Sequence, residues 1–241
     1  MRVVALASEP NAAPAALVDV VQRDAGLVAA ILSQANAATH RRAGLIASVP
    51  QALARLGLTR VSEIALSTSL RASLLTAPRY RASIKQTWRL SLAAGLFAKE
   101  ISIALSRNVE LAFVSGMLRS AGCSLVLYSL AAWEGSEAID ESRALGLAAE
   151  FSGPFAAAAT RRWGLPQVVT RAVCDGDPAE ERPQEASIAA LAQRLAYFAL
   201  RGGEELPIDC REAGELDLYP ESIAALVRRS SDIRAAVDRG P

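Results

Sequence analysis

The sequence predicts an all-α domain, and three observations carry that prediction. Apolar residues recur at three- and four-residue spacing along most of the chain. Capping residues and prolines stand where those periodic runs begin and end. Strand signals are nearly absent: the Asp-Gly pair at Asp175 reads as a turn, because no alternating apolar runs flank it. The chain has 241 residues, 51% of them hydrophobic, enough to bury a sizeable core.

Taken in order, Pro14 opens a first helix that sets Leu17, Val18, Val20 and Val21 on one side. Asp24 caps a second, in which Leu27, Ile31, Leu32 and Ala35 keep the i, i+4 rhythm. Ser48 caps a short third helix with Pro50 in its first turn, and Gly57 ends it in the left-handed conformation. Thr59 begins a helix that stops before Pro78, and a long one follows from about Arg79 to Arg107. Its apolar stripe is read as Ile84, Trp88, Leu92, Leu96 and Ile103. Glu110 to Arg119 and Ser124 to Trp133 read as two helices broken near Gly122. "GPFAAAATRRWGLP" reads as helical up to Trp163, with Gly164 and Pro166 as its stop. "PQVVTRAVCD" begins another helix, "SIAALAQRLAYFALR" is strongly amphipathic, and "ESIAALVRRSSDIRAAV" closes the chain. Asp175 to Ala186, acidic and carrying two prolines, reads as a mobile loop inside one domain spanning 1–241. The core of that domain is expected at about 14–200, with a helical extension over 201–241.

Composition narrows the chemistry. The three cysteines, Cys123, Cys174 and Cys210, are widely separated and odd in number, which suits reduced structural thiols rather than a disulfide framework or a zinc site. His40 is the only histidine, so any mechanism needing two imidazoles is excluded, and its polar setting reads as an exposed loop. No charge-free run of eighteen apolar residues exists, and the six-residue apolar run near the N-terminus is too short for a signal peptide. A cytoplasmic protein without membrane contact is expected. No phosphate-binding glycine loop occurs, and no cofactor is expected.

The net charge of +1 conceals an asymmetry. Met1 to Trp133 carries 14 Lys and Arg against 6 Asp and Glu, and the remainder carries 12 against 19. Such a split marks a nucleotide or nucleic-acid patch, two lobes that attract each other, or a solvated surface biased in sign.

Four segments, in order, resemble a known family. "VVQRDAGLVAAILSQANAA" is similar to the "DPxL…LLxxxNSA" opening of HDOD domains, the HD-related output domains. "IASVPQALARLGLTRVSEIALS" resembles their "ISSxxxAxxxLGxxxLxxL" segment. "ELAFVSGMLRSAG" lines up with "AFxxGLLHDIG", and "RRWGLPQVVTRAV" with "WxLPxxLxxAI". The resemblance covers most of Val18 to about Leu200 and implies an HD-like multi-helix bundle, used mostly in bacteria as a signalling or interaction module. Little of the family's leading "LPxLP" segment precedes these motifs, which reads as a fragment or a shortened homologue.

The departures from the pattern bear on chemistry. Where the family often has His-Asp, this chain has Arg119 and Ser120. Leu90, Ser152 and the pair Cys174 and Asp175 fall at its other histidine positions. A dinuclear phosphohydrolase needs neutral imidazoles and carboxylates to hold metal and activate water. Leu90 has no lone pair, and the fixed positive charge of Arg119 repels a cation. Metal-dependent phosphohydrolase activity is therefore predicted absent.

Two surfaces remain as candidates for function. Arg119 suits an anion, such as a cyclic dinucleotide, in the vacated pocket; a structural ion pair or surface arginine is the competing reading. Arg71, Arg79, Arg81, Lys85 and Arg89 form a basic belt with Tyr80 and Trp88 nearby, suited to an acidic partner or to being a plain solvated face. Asn36, at the family's "NSA" asparagine, reads as a structural residue bonding backbone across a junction. The expectation is a non-catalytic regulatory module acting through a protein partner, with nucleotide sensing as the alternative and nucleic acid not expected.

Overall fold

The structure is a computed structural model and describes residues 14–37, 45–57, 61, 64, 78–133, 139–162, 166–174, 183–201 and 210–238. Among these residues there is no strand; the chain is all-α. His40, Arg71, Trp163, Gly164 and Asp175, with most of the acidic 175–186 loop, lie outside the described residues.

The first elements follow their local signals. Helix α1 runs Pro14–Val21 and α2 runs Ala25–Ala37. The Leu27 N–H donates to Asp24 Oδ1 at 2.9 Å, so Asp24 is the cap of α2. Residues 49–57 are helical; Ser48 Oγ accepts from the Gln51 N–H at 3.3 Å, and Gly57 sits at φ 75°. Asn36 bridges the intervening junction with both ends of its amide. It donates to the Ile46 carbonyl at 2.9 Å and accepts from the Ile46 N–H at 2.8 Å.

A 3-10 turn over Pro78–Tyr80 leads into α3, Arg81–Ala104, which stops earlier than Arg107. The apolar stripe expected on α3 is corrected. Leu92 is buried, but Ile103 is 54% exposed and Ile84, Trp88 and Leu96 are only half-buried. Buried instead is the face carrying Ser83, Thr87, Ser91, Ala94, Ala98 and Ser102, spaced by three and four residues; burial spreads beyond that face only in mid-helix, at Leu92, Ala93 and Gly95. The face that packs on the neighbouring helices is the one with the small side chains, which allow close approach, and not the one with the larger apolar ones.

Helix α4 is continuous over Val109–Ala131, capped by Asn108, whose side chain accepts from the Leu111 N–H at 2.8 Å. The expected break near Gly122 does not occur. An ideal Cβ at Gly122 would stand 2.1 Å from the Ser152 carbonyl oxygen, so this glycine is where a neighbouring helix touches α4 backbone to backbone. Gly116 does the same towards α3, where a Cβ would meet Ala98 Cβ at 2.7 Å.

Helix α5 spans Glu141–Arg162, starting well before Gly153 and holding Pro154 in its interior. Asp140 caps it through the Arg143 N–H at 2.8 Å. Helix α6 (Gln167–Ala172) follows Pro166, α7 spans Gln184–Arg201, and α8 is Arg211–Glu215. The closing segment is two helices, α9 (Pro220–Arg228) and α10 (Ser230–Asp238). Helices α3, α4, α5 and α7 pack together as the centre of the bundle. One core cluster runs from Leu17 to Val237, and Leu216, Leu226, Ile233 and Val237 of the last helices belong to it. Leu111–Ala131 is long and apolar enough to cross a membrane, yet 67% of its most apolar window is buried inside the protein, as in a core helix.

Candidate functional site

Helices α4, α5 and α7, with the end of α6, enclose a cavity of about 430 Å³. Three of the residues singled out from the sequence line it: Arg119 from α4, Ser152 from α5 and Cys174 just after α6. They are remote in sequence and converge because Gly122 lets α5 close down on α4. Arg119 is half-buried, and its Nε–H donates to Gln193 Oε1 of α7 at 3.2 Å. Ser152 Oγ donates to the Ala149 carbonyl at 3.2 Å. Leu90 and Ser120 are buried but do not line the cavity, so the expected site residues are not all brought together. The Ser120 hydroxyl is buried without a hydrogen-bond partner among the described residues.

Three lining residues were not legible in the sequence: Glu150, Pro154 and Gln193. The signals available were a proline inside an alanine-rich run and an amide, Gln193, among the small and apolar residues of α7. Pro154 has no N–H to give to the carbonyl of Glu150, four residues back, so one helical hydrogen bond is missing in the cavity wall while the helix continues.

The described lining does not by itself fit a dinuclear metal site. Arg119 brings a fixed positive charge and Ser152 a neutral hydroxyl already bonded to backbone. Only Glu150 and Cys174 carry side chains that could ligate a cation as anions, while Leu90 has no donor atom and Asp175 lies outside the described residues. Among the described residues, no group of three or more His, Cys, Asp or Glu side chains is placed to hold a metal ion. The cysteines are free and half-buried, and burial pushes the Cys123 thiol up despite a lowering hydrogen bond with Ser152.

The basic belt is only partly a free face. Arg89 pairs with Asp238 of α10, and Arg79 donates to the Ile139 carbonyl at 2.9 Å. Tyr80 is fully buried and Trp88 packs against the core, so neither forms an aromatic docking platform. Arg81 and Lys85 are exposed on the same face of α3.

The fold is that of an HD-like helical domain. The HDOD domain family matches residues 1–177, and the chain belongs to that family. No curated protein matches it. Among solved structures it is similar to the MmoQ response regulator from Methylococcus capsulatus str. Bath, at 25% identity and TM-score 0.70, covering 94% of this chain and 93% of that one. A second structure, of a fragment of MmoQ, gives 29% identity and TM-score 0.67 over 92% and 90% of the two chains. A Shewanella amazonensis SB2B protein proposed to be a metal-dependent phosphohydrolase shares the fold at 20% identity and TM-score 0.51, over 98% and 89%.

Proposed function

We propose that this chain is a signal-transduction module that has given up metal-dependent hydrolysis and acts by contact with a protein partner. One observation supports the reading: a half-buried guanidinium, Arg119, lines the cavity, and the motif resemblance gives its position to a histidine. A fixed positive charge there opposes both metal binding and the lowered water pKa that metal would provide. The likeness to a response regulator along nearly the whole chain supports a signalling role. The partner-facing surface is the outer side of α3, where Arg81 and Lys85 present two positive charges one helical turn apart to an acidic partner.

The test has two arms. Purified protein with Mn²⁺, Fe²⁺ or Mg²⁺ is offered bis(p-nitrophenyl) phosphate and nucleotide substrates; turnover above the metal blank that EDTA abolishes would sink the non-catalytic reading. Charge reversal at Arg81 and Lys85 is then scored by the pathway's output in cells carrying the chain. An unchanged output would remove α3 as the contact surface.

A further inference from the structure

We propose that the cavity between α4, α5 and α7 binds a nucleoside monophosphate. The inference rests on the reading that no metal occupies this place. Three features of the wall select that class of ligand. Arg119 offers a guanidinium held in orientation by its Nε–H bond to Gln193, and this planar group suits a phosphate better than any other lining residue does. Glu150 also lines the cavity and brings a carboxylate acceptor, and Pro154 has no N–H to give to the Glu150 backbone carbonyl. A ligand that carries N–H donors as well as an anionic group matches that lining. Val173 and Ala157 make part of the wall apolar.

Size decides between a mononucleotide and a dinucleotide. At about 430 Å³ the cavity lies near the lower end of the range of roughly 300–1,000 Å³ typical of small-molecule pockets. That space suits a mononucleotide, whereas a cyclic dinucleotide, with two bases and two phosphates, would have to project from the open side. Glu150 is exposed, so solvent screens its repulsion of the phosphate, while Arg119 is half-buried, where its attraction is screened less.

The experiment is calorimetric titration in EDTA of the full chain with AMP, GMP, adenosine, inorganic phosphate and cyclic di-GMP. One of the two monophosphates is expected to bind at least tenfold tighter than inorganic phosphate, than adenosine and than cyclic di-GMP. Arg119→Ala is expected to weaken that binding at least tenfold. Ala149→Trp provides a second variant that leaves the core intact, because Ala149 is exposed at the cavity wall and an indole there fills the space. If Arg119→Ala does not fold, Ala149→Trp alone decides. Adenosine binding as well as AMP, no binding by folded protein, or binding undisturbed by the variants overturns the proposal while leaving the non-catalytic reading in place. Binding that needs Mn²⁺ and releases phosphate overturns both.

Discussion

Gly122→Ala tests how the cavity is built. The added Cβ would lie 2.1 Å from the Ser152 carbonyl oxygen, 2.7 Å from its carbonyl carbon and 3.0 Å from its Cα. All three atoms are backbone, so no side chain can swing aside, and α4 and α5 must part by more than ~1 Å to restore van der Waals distance. Overpacking of this kind costs about 1–3 kcal/mol, and the rigid backbone places the cost at or above the top of that range. Helix propensity returns about 1 kcal/mol on replacing glycine by alanine. The net loss is therefore about 2 kcal/mol, which lowers Tm by about 4–8 °C in a chain of this length. Gly146→Ala on the same α5 is the control, since a Cβ there meets nothing within 4 Å. It is expected to gain about 0.5–1 kcal/mol. Urea unfolding of both variants, with midpoints compared at unchanged m, gives the answer. If Gly122→Ala proves as harmless as Gly146→Ala, the two helices do not touch at Ser152 and the account of the cavity fails.

Three other outcomes are expected. Asn36→Ala removes two hydrogen bonds and strands the Ile46 amide and carbonyl, for a loss of about 2–3 kcal/mol read by the same urea titration; a loss under about 0.5 kcal/mol would show the bridge to be idle. Burial raises the Cys123 thiol above its ordinary value of 9.0, so its contribution to stability is complete below that pH and is lost as pH rises through the folded-state value; Cys123→Ala should flatten the alkaline limb of the stability profile, and an unaltered limb would contradict this. Truncation after Arg201 deletes Leu216, Leu226, Ile233 and Val237, each worth about 1.5–3 kcal/mol of burial. Their sum rivals the ~5–15 kcal/mol stability of a typical protein, so the shortened chain should lose its cooperative unfolding transition; a sharp transition would make the last helices dispensable.

Legibility in the sequence followed the range of the interaction. Asp24, Ser48, Gly57 and Asn36 were readable because their hydrogen bonds and dihedrals are decided within a few residues or at one junction. Gly122 was misread as a break because a glycine that ends a helix and one that admits a neighbouring backbone look alike in one dimension. The stripe on α3 failed for a different reason: the buried face is built largely of small and hydroxyl residues, so a stripe traced through the larger apolar side chains picks the wrong side, and Ser102 is buried while Ile103, about 100° further round the helix, is exposed. At the site, aligned motifs pointed to Arg119, Ser152 and Cys174, whereas Glu150 and Gln193 reach the cavity only through the packing of α5 and α7, which no local pattern encodes.

The spacing of the two glycines on α4 explains why the residue between them faces the cavity whatever it is. Successive helical residues turn by about 100°, so Gly116, Arg119 and Gly122 fan across about 120° of the helix in two equal steps. Gly116 is pressed against Ala94 and Ala98 of α3, and Gly122 against the Ser152 backbone of α5. Position 119 lies between those contacts and meets α7 at Gln193. Its side chain is thus delivered to the cavity by backbone contacts that do not depend on its own chemistry. A histidine there would face the same space; the arginine places a fixed positive charge in it. Arg119→His alone would still not rebuild a metal centre, since Leu90 is buried away from the cavity and the Ser152 hydroxyl is engaged with Ala149. Fold and chemistry are separable at this position because the contacts that deliver it are made by Gly116 and Gly122, and neither of these lines the cavity.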